Sequence, residues 1–580
     1  MSNFLARGGC AVAFVAACLL FGIFVALPSV PRWAVLYVFA AAISGWWALE
    51  VSRNGLRINR VGLASILFVG WSALSLMWSP DYQQGIEQTV RLIVIGGIAT
   101  FVSTLPRREL ERLLPHFIAA SLLGALLFDW KWPTLHGGFG NPNFLAEFVF
   151  FCLPFAAWKL GEHTLRWDFL RGVAFVWGLY HLLFDTSSNL KYLAVGLWLI
   201  LLAYQFRRHW FVALMILLVP VNVALLSGRV NFLPCSAEGA DIMCSLQARL
   251  EVFYNSAALW SNFPWLGVGL GGFNFWYPLF QEAHVAVLPE YTVMMPIAQF
   301  AGAAHNEILQ VLTETGIVGL AVAVLSLVIV LRGVKYDDFN KAALWTLIFA
   351  GVNSMIAFPL HTPPTALIAA CALGVLGNGR GAVLRLSLPR LRWVGAPLAT
   401  AFSIWVIVLG VLSYRAEMMF SVTQANISSD PLMAFWTNAE AAQTYPYHSH
   451  YRHQLVLSLR AVTDLRQQII VEPEAADKAY EVSKSTSPFN PGIAAARVGY
   501  LINSGRFDEK KAEIEALLTH LKSRANLQAV TWLVETIYAM KTGDTDRAKA
   551  ALAVGYVRSK RREYEFINEF QRLAGILAKE

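Results

Sequence analysis

His305 is the residue in this sequence best placed to move a proton. An imidazole titrates near neutral pH, so it can accept the hydrogen of an attacking hydroxyl. A lone histidine at an apolar boundary is more often just hydrogen-bonded to backbone. Two arginines earlier in the same stretch, Arg229 and Arg249, shift that balance. Guanidiniums stay charged and present a planar fork that matches phosphate oxygens, although either one alone is equally well explained by a lipid headgroup. A base and two fixed cations together suit a phosphate-linked lipid substrate. A departing diphosphate carries at least two negative charges, and fixed positive charge stabilises it as the bond breaks.

Other chemistries fit the sequence less well. Gly267, Gly269 and Gly272 formally match G-x-G-x-x-G. No strand–helix alternation surrounds them, as a dinucleotide site requires, so a flexible turn at the membrane surface is expected instead. Glu282 and His284 are close together but too few for a metal site, and a serine elbow is missing. No metal or cofactor is expected.

The elements that must position these groups are membrane helices. The chain is 56% hydrophobic and 14% charged, against roughly 25% charged in ordinary soluble domains. Twenty Trp and eighteen Tyr suit interfacial anchoring. Thirteen apolar runs are long enough to read as spans, near 9–27, 33–50, 61–78, 88–105, 113–130, 144–158, 172–185, 190–205, 210–227, 306–331, 342–358, 364–378 and 393–414. The first lacks a small-x-small cleavage site and reads as an uncleaved span.

Basic residues set the orientation. The even connections carry Arg53, Arg57, Arg60; Arg107, Arg108, Arg112; Lys159, Arg166, Arg171; Arg207, Arg208; Arg332, Lys335, Lys341; and Arg380, Arg385, Arg390, Arg392. The short odd ones carry Arg32 and Lys131, with Lys191 at a border. The N-terminus is therefore expected in the cytosol, with the 228–305 segment and everything after 414 outside it. The net charge of +8 follows this alternation, and nucleic acid is not an expected partner.

Cysteine placement agrees. Cys10, Cys18, Cys152 and Cys371 lie within spans, whereas Cys235 and Cys244 stand nine apart in the outer loop. An oxidising compartment permits a disulfide there; two unpaired thiols are the alternative.

Beyond about Glu417 the composition turns soluble and apolar residues recur at helical spacing. Gly505, Asp508, Lys511 and Ala512 recur 38 residues later as Gly543, Asp546, Lys549 and Ala550. Each Gly-x-x-Asp suits the junction between two helices. Tetratricopeptide-like helical hairpins and a plain helical bundle are equally compatible with two copies.

These residues resemble a known family. Arg249 to Phe273, RLEVFYNSAALWSNFPWLGVGLGGF, and Ala304 to Leu320, AHNEILQVLTETGIVGL, are similar to the two loop blocks of the O-antigen ligase family. That superfamily includes protein O-oligosaccharyltransferases and O-antigen polymerase-like enzymes. Gly137 to Phe148, GGFGNPNFLAEF, resembles its upstream Asn-x-Asn segment. The likeness spans roughly residues 60 to 380.

The resemblance implies metal-independent, inverting transfer of a glycan from undecaprenyl diphosphate to a lipid A-core or pilin-like protein acceptor. It implies His305 as the activating base and Arg249 as the diphosphate ligand, supported by Asn306, Gln310, Glu314 and Asn143. Family members also carry a Ser-Arg pair at the outer end of an earlier span. Here that place reads Thr186-Ser187-Ser188-Asn189-Leu190-Lys191, and Lys191 or Arg229 is the substitute.

The expectation is thus an all-α polytopic protein of the bacterial inner membrane. Spans occupy 1–227, a periplasmic loop with the chemistry 228–305, further spans 306–414, and a periplasmic TPR-like helical domain 415–580. His305, Leu309 and Leu312 are expected on one helix face, and Asn306, Gln310 and Thr313 on another. An O-antigen or exopolysaccharide polymerase is the alternative enzyme. A polysaccharide transporter would use Arg91, His116 and Glu147, and a scaffold would use its tail to recruit a protein partner.

Overall fold

A computed structural model describes residues 29–54, 56–131, 142–159, 165–182, 242–287, 301–379, 381–386, 391–426, 429–462, 471–525, 528–562 and 567–579. The spans expected at 9–27, 190–205 and 210–227 lie outside these residues. So do Lys191, Arg229, Cys235 and the side chain of Cys244. The fold is all-α and polytopic.

The apolar helices are α1 (Ser29–Asn54), α2 (Arg60–Leu74), α3 (Tyr82–Thr104), α4 (Arg107–Lys131), α5 (Pro142–Ala157) and α6 (Leu165–Tyr180). After two loop helices, α7 (Ile242–Asn262) and α8 (Phe273–Val287), come α9 (Glu307–Leu331), α10 (Asp338–Asn353), α11 (Pro363–Gly377) and α12 (Leu391–Asn426). Among the described residues, five segments are long and apolar enough to cross a bilayer: 60–78, 82–104, 107–131, 307–331 and 397–426. The fifteen-residue α11 is buried along almost its whole length and packs on α3 and α10. Its Gly374 lies against the backbone of Ala99, an approach that only a small residue permits. Cys152 and Cys371 are buried in α5 and α11, as expected of cysteines within spans.

Two ends of the bundle are chemically distinct. At one, Arg107 pairs with Asp337 at 2.5 Å and donates to Asn340 at 2.8 Å. Arg60 donates to the carbonyl of Arg332. The short strands β1 (Leu56–Ile58) and β2 (Leu384–Leu386) pair antiparallel there. Among the described residues, the basic connections after α1, α3, α9 and α11 thus meet in pairs. The 354–362 loop lies at the start of α9 and the 79–81 segment meets the glycine turn, both away from that basic end.

One boundary differs from expectation. The run expected as a span over 342–358 is helical only to Asn353. Pro359 lacks the N–H that would bond within a continuing helix, Pro363 and Pro364 open the next helix, α11, as its first residues, and 354–362 becomes a loop at the odd end.

The 36-residue α12 runs on past 415 to Asn426. At about 54 Å it exceeds a ~30 Å bilayer core and enters the tail without a break. The tail comprises α13 (Pro431–Thr444), α14 (Ser449–Val462), α15 (Pro473–Thr486), α16 (Pro491–Asn503), α17 (Lys511–Arg524), α18 (Ala529–Thr542), α19 (Thr545–Arg562) and α20 (Ile567–Leu577). Helices α14, α16 and α18 stack on one another, with sequential neighbours packed alongside. Gly543 ends α18 in the left-handed conformation, as the Gly-x-x-Asp reading requires.

The tail is bolted to the membrane bundle. One Arg452 nitrogen lies 2.7 and 2.8 Å from the two oxygens of Asp81. Glu87 holds both Arg91 at 2.6 Å and His448 at 3.1 Å. Gln84 accepts from the Ser449 N–H at 2.7 Å, and Phe489 stacks on Trp276 of α8.

Candidate active site

The start of α9 is fixed by Asn306. Its side-chain oxygen accepts from the Leu309 N–H at 3.0 Å, and its amide donates to the Met355 carbonyl at 2.9 Å. Asn306 is therefore the N-cap, in extended backbone, and the helix begins at Glu307. This corrects the expectation that His305 and Asn306 share helix faces with residues three and four further on. His305 instead stands before the cap at φ +50°, a left-handed conformation uncommon outside glycine. Gln310 braces the preceding turn by accepting from Ala304 N–H at 2.7 Å.

The 354–362 loop closes over this turn. Glu307 N–H donates to the Ser354 carbonyl at 2.8 Å, and the Glu307 carboxylate accepts from Leu360 N–H at 2.9 Å. Phe358 meets the His305 ring edge-on, with centroids 4.7 Å apart, and also contacts Phe144, the residue after Asn143 on α5. His305 is half-buried. Burial, then the charges of Arg249 and His361, push its pKa down to about 4. At neutral pH the ring is uncharged and has a lone pair available.

Arg249 projects from α7 and donates to the Ile356 carbonyl at 2.7 Å. Burial lowers its pKa and the charge of Glu147 opposes that shift; a guanidinium nevertheless remains protonated. Its field reaches His305. Glu147 is buried in α5 next to Asn353, at 1% exposure. One loop, 354–362, thus touches both residues expected to carry the chemistry.

The glycine turn is locked in place, in contrast to the flexible turn expected. Gly316 breaks the α9 ladder at φ +70°, and the turn takes up the groups this releases. Val268 and Gly269 donate to the carbonyls of Thr313 and Glu314, each at 2.8 Å. Ile317 and Val318 donate to the carbonyls of Pro264 and Trp265 at 2.9 and 3.3 Å. The Glu314 carboxyl accepts from Gly271 N–H at 3.1 Å. A Cβ on Gly316 would stand 2.1 Å from the Trp265 oxygen, and one on Gly269 2.5 Å from Ser79. Close backbone approach is what these glycines permit.

The structure therefore brings together His305, Arg249, Asn306, Gln310 and Glu314, with Asn143 one residue from Phe144. Of the transporter candidates, Glu147 and Arg91 lie within electrostatic reach of Arg249 and His361 respectively. Arg91 is paired with Glu87, and His116 bonds the Arg112 carbonyl on the basic-end part of α4. Sequence reasoning missed Phe358 and the Ile356 carbonyl because it assigned residues up to 358 to a span, and it missed His361, in the short connection before the next span, because no motif singled it out. The signal for the loop was Pro359, which cannot continue a helix, followed by Pro363 and Pro364, which open the next one.

No curated protein matches the sequence. Residues 173–324 match the family model described as O-Antigen ligase. The match contains Arg249, the glycine turn, His305 and the α9 kink. Residues 173–324 of the chain thus form a segment similar to the O-antigen ligase family.

Proposed function

We propose that the chain transfers a glycan from undecaprenyl diphosphate to a hydroxyl of a lipid A-core or pilin-like protein acceptor, on the periplasmic face of the bacterial inner membrane. The carrying observation is the meeting of a neutral imidazole and a guanidinium around the 354–362 loop. His305 takes the acceptor proton as the acceptor oxygen attacks the anomeric carbon. The carbon–oxygen bond to the diphosphate breaks, its electron pair leaves on the diphosphate, and Arg249 stabilises that charge. Attack opposite the leaving group inverts the anomeric centre, and no metal enters the step.

The orientation follows from charge. The basic connections cluster at one end of the bundle, and such ends face the cytosol. The candidate site lies at the other end, where the tail also docks.

The test is transfer in nanodiscs containing an undecaprenyl-diphosphate-linked glycan and either acceptor. His305→Ala and Arg249→Ala are expected to lose transfer by at least ~100-fold while accumulating in the membrane. Undiminished transfer in either variant would overturn the assignment. Product length separates attachment of a preformed glycan from growth of a polymer on its carrier.

A further inference from the structure

His361 lies outside every motif that singled out the site, yet the fold holds it as an active group would be held. Its Nδ1 lies 3.3 Å from Glu307 Oε1, and the same oxygen accepts from Leu360 N–H at 2.9 Å. Glu307 is itself fixed in the first turn of α9 by its N–H bond to Ser354. A carboxylate bonded to Nδ1 fixes the tautomer and aims Nε2 away from itself. The side chain remains 29% exposed. Phe358 lies between the two imidazoles, its centroid 4.7 Å from that of His305 and 5.9 Å from that of His361.

We propose that His361, oriented by Glu307, is the second proton-carrying group of the site and donates its Nε2 proton to the departing diphosphate. The proposal rests on the transfer reaction above. In that step the acceptor O–H proton passes to His305 and the new carbon–oxygen bond forms. The old carbon–oxygen bond breaks with its electrons on the diphosphate oxygen, which takes the His361 proton. His305 then carries the proton that His361 lost, and exchange with solvent restores both rings. The division of labour follows from surroundings. His361 faces the carboxylates Glu307 and Glu314 of α9, the cation Arg91 of α3 and the uncharged His305 ring of the preceding turn. Burial alone would lower its pKa, but the Glu307 carboxylate, reinforced by Glu314, holds it above the usual histidine range. His305, beside Arg249, is pushed the other way. Paired groups driven apart in this manner are suited to acid and base roles.

The experiment is the pH dependence of kcat for the full chain in nanodiscs with the lipid-diphosphate donor. His361→Gln is expected to lower kcat by roughly 100-fold, with KM little changed, and to abolish the alkaline fall in rate. Glu307→Gln keeps the ring but removes its carboxylate, and should move that alkaline limb to lower pH. A thermal transition near that of the wild type in each variant excludes simple unfolding; should His361→Gln unfold, the Glu307→Gln limb decides. If the wild type transfers glycan and both variants retain its kcat and alkaline limb, the role of His361 is overturned while the transfer reading stands. If the wild type transfers nothing, both fall together.

Discussion

The tail junction and the candidate site lie at the same end of the bundle, and they handle charge in opposite ways. At the junction, buried charges face partners: Asp81 with Arg452, and Glu87 with both Arg91 and His448. At the site, His305 stands beside two cations and has no carboxylate against it, and Arg249 is bonded only to a carbonyl among the described residues. A paired cluster holds two bodies together but has little left for a ligand. Around His305 and Arg249 the arrangement is the reverse: Glu307 is committed to His361 and Glu147 reaches Arg249 only through its field, so the guanidinium keeps capacity for an anion. The same contrast appears in the backbone, where the junction is made of ordinary helices and the site places a non-glycine residue at φ +50°.

The largest expected effect comes from breaking the junction. Asp81 and Arg452 are 1% and 6% exposed, and removing one member of a buried pair costs about 3–5 kcal/mol. Asp81→Leu should free the tail, read as protease sensitivity beyond residue 426 and a lower thermal transition. The double change Asp81→Leu with Arg452→Met should recover much of the loss, because neither charge is then left alone. A single variant within ~1 kcal/mol of the wild type would show that the tail does not depend on this pair.

Next comes the kink that seats the glycine turn. Gly316→Ala combines a left-handed backbone with a Cβ 2.1 Å from a carbonyl oxygen, and should cost at least ~2 kcal/mol. Transfer should fall with it, since displacing the turn removes the bond that orients Glu314. If stability drops and transfer is unchanged, the turn serves folding alone.

A smaller effect is set by pH at the tail. His453 is 2% exposed, and burial pushes its pKa down to about 4. The unfolded ring titrates at about 6.5, so between these values the unfolded state binds more protons. Stability is therefore full above about pH 6.5 and is lost as pH falls towards 4, by about 1–2 kcal/mol at pH 5. Thermal scans across that range should show the slope, and His453→Gln should flatten it. An unchanged slope would mean other groups govern the acid response.

How much of this could be read in advance varies with its physical origin. The membrane helices were legible because a bilayer demands long apolar runs, and the paired ends because basic residues mark alternate connections. His305 and Arg249 were legible as types in an order. The backbone around them was not. Asn306 reads equally well as a helical residue or a cap, and only its capture of Leu309 N–H decides. The 354–362 loop was hidden by its own hydrophobicity, since Met355, Ile356, Ala357 and Phe358 look like the end of a span. The glycines were read as flexible because spacing reports what a residue permits, and the close neighbours that demand it come from α3 and α9.

The smallest stability effect bears most directly on the contrast between the two regions. Holding a non-glycine residue in the left-handed region costs about 1–2 kcal/mol, and His305 occupies that region at the centre of the proposed chemistry. Asn visits this conformation more readily than other residues do. His305→Asn should therefore be as stable as the wild type or up to ~1 kcal/mol more stable, with transfer lost. His305→Ala keeps the unfavourable backbone and loses the ring contact with Phe358, so it should be the least stable of the three and equally inactive. If Ala and Asn variants unfold at the same temperature, the backbone at 305 holds no strain. The site would then differ from the junction in charge alone.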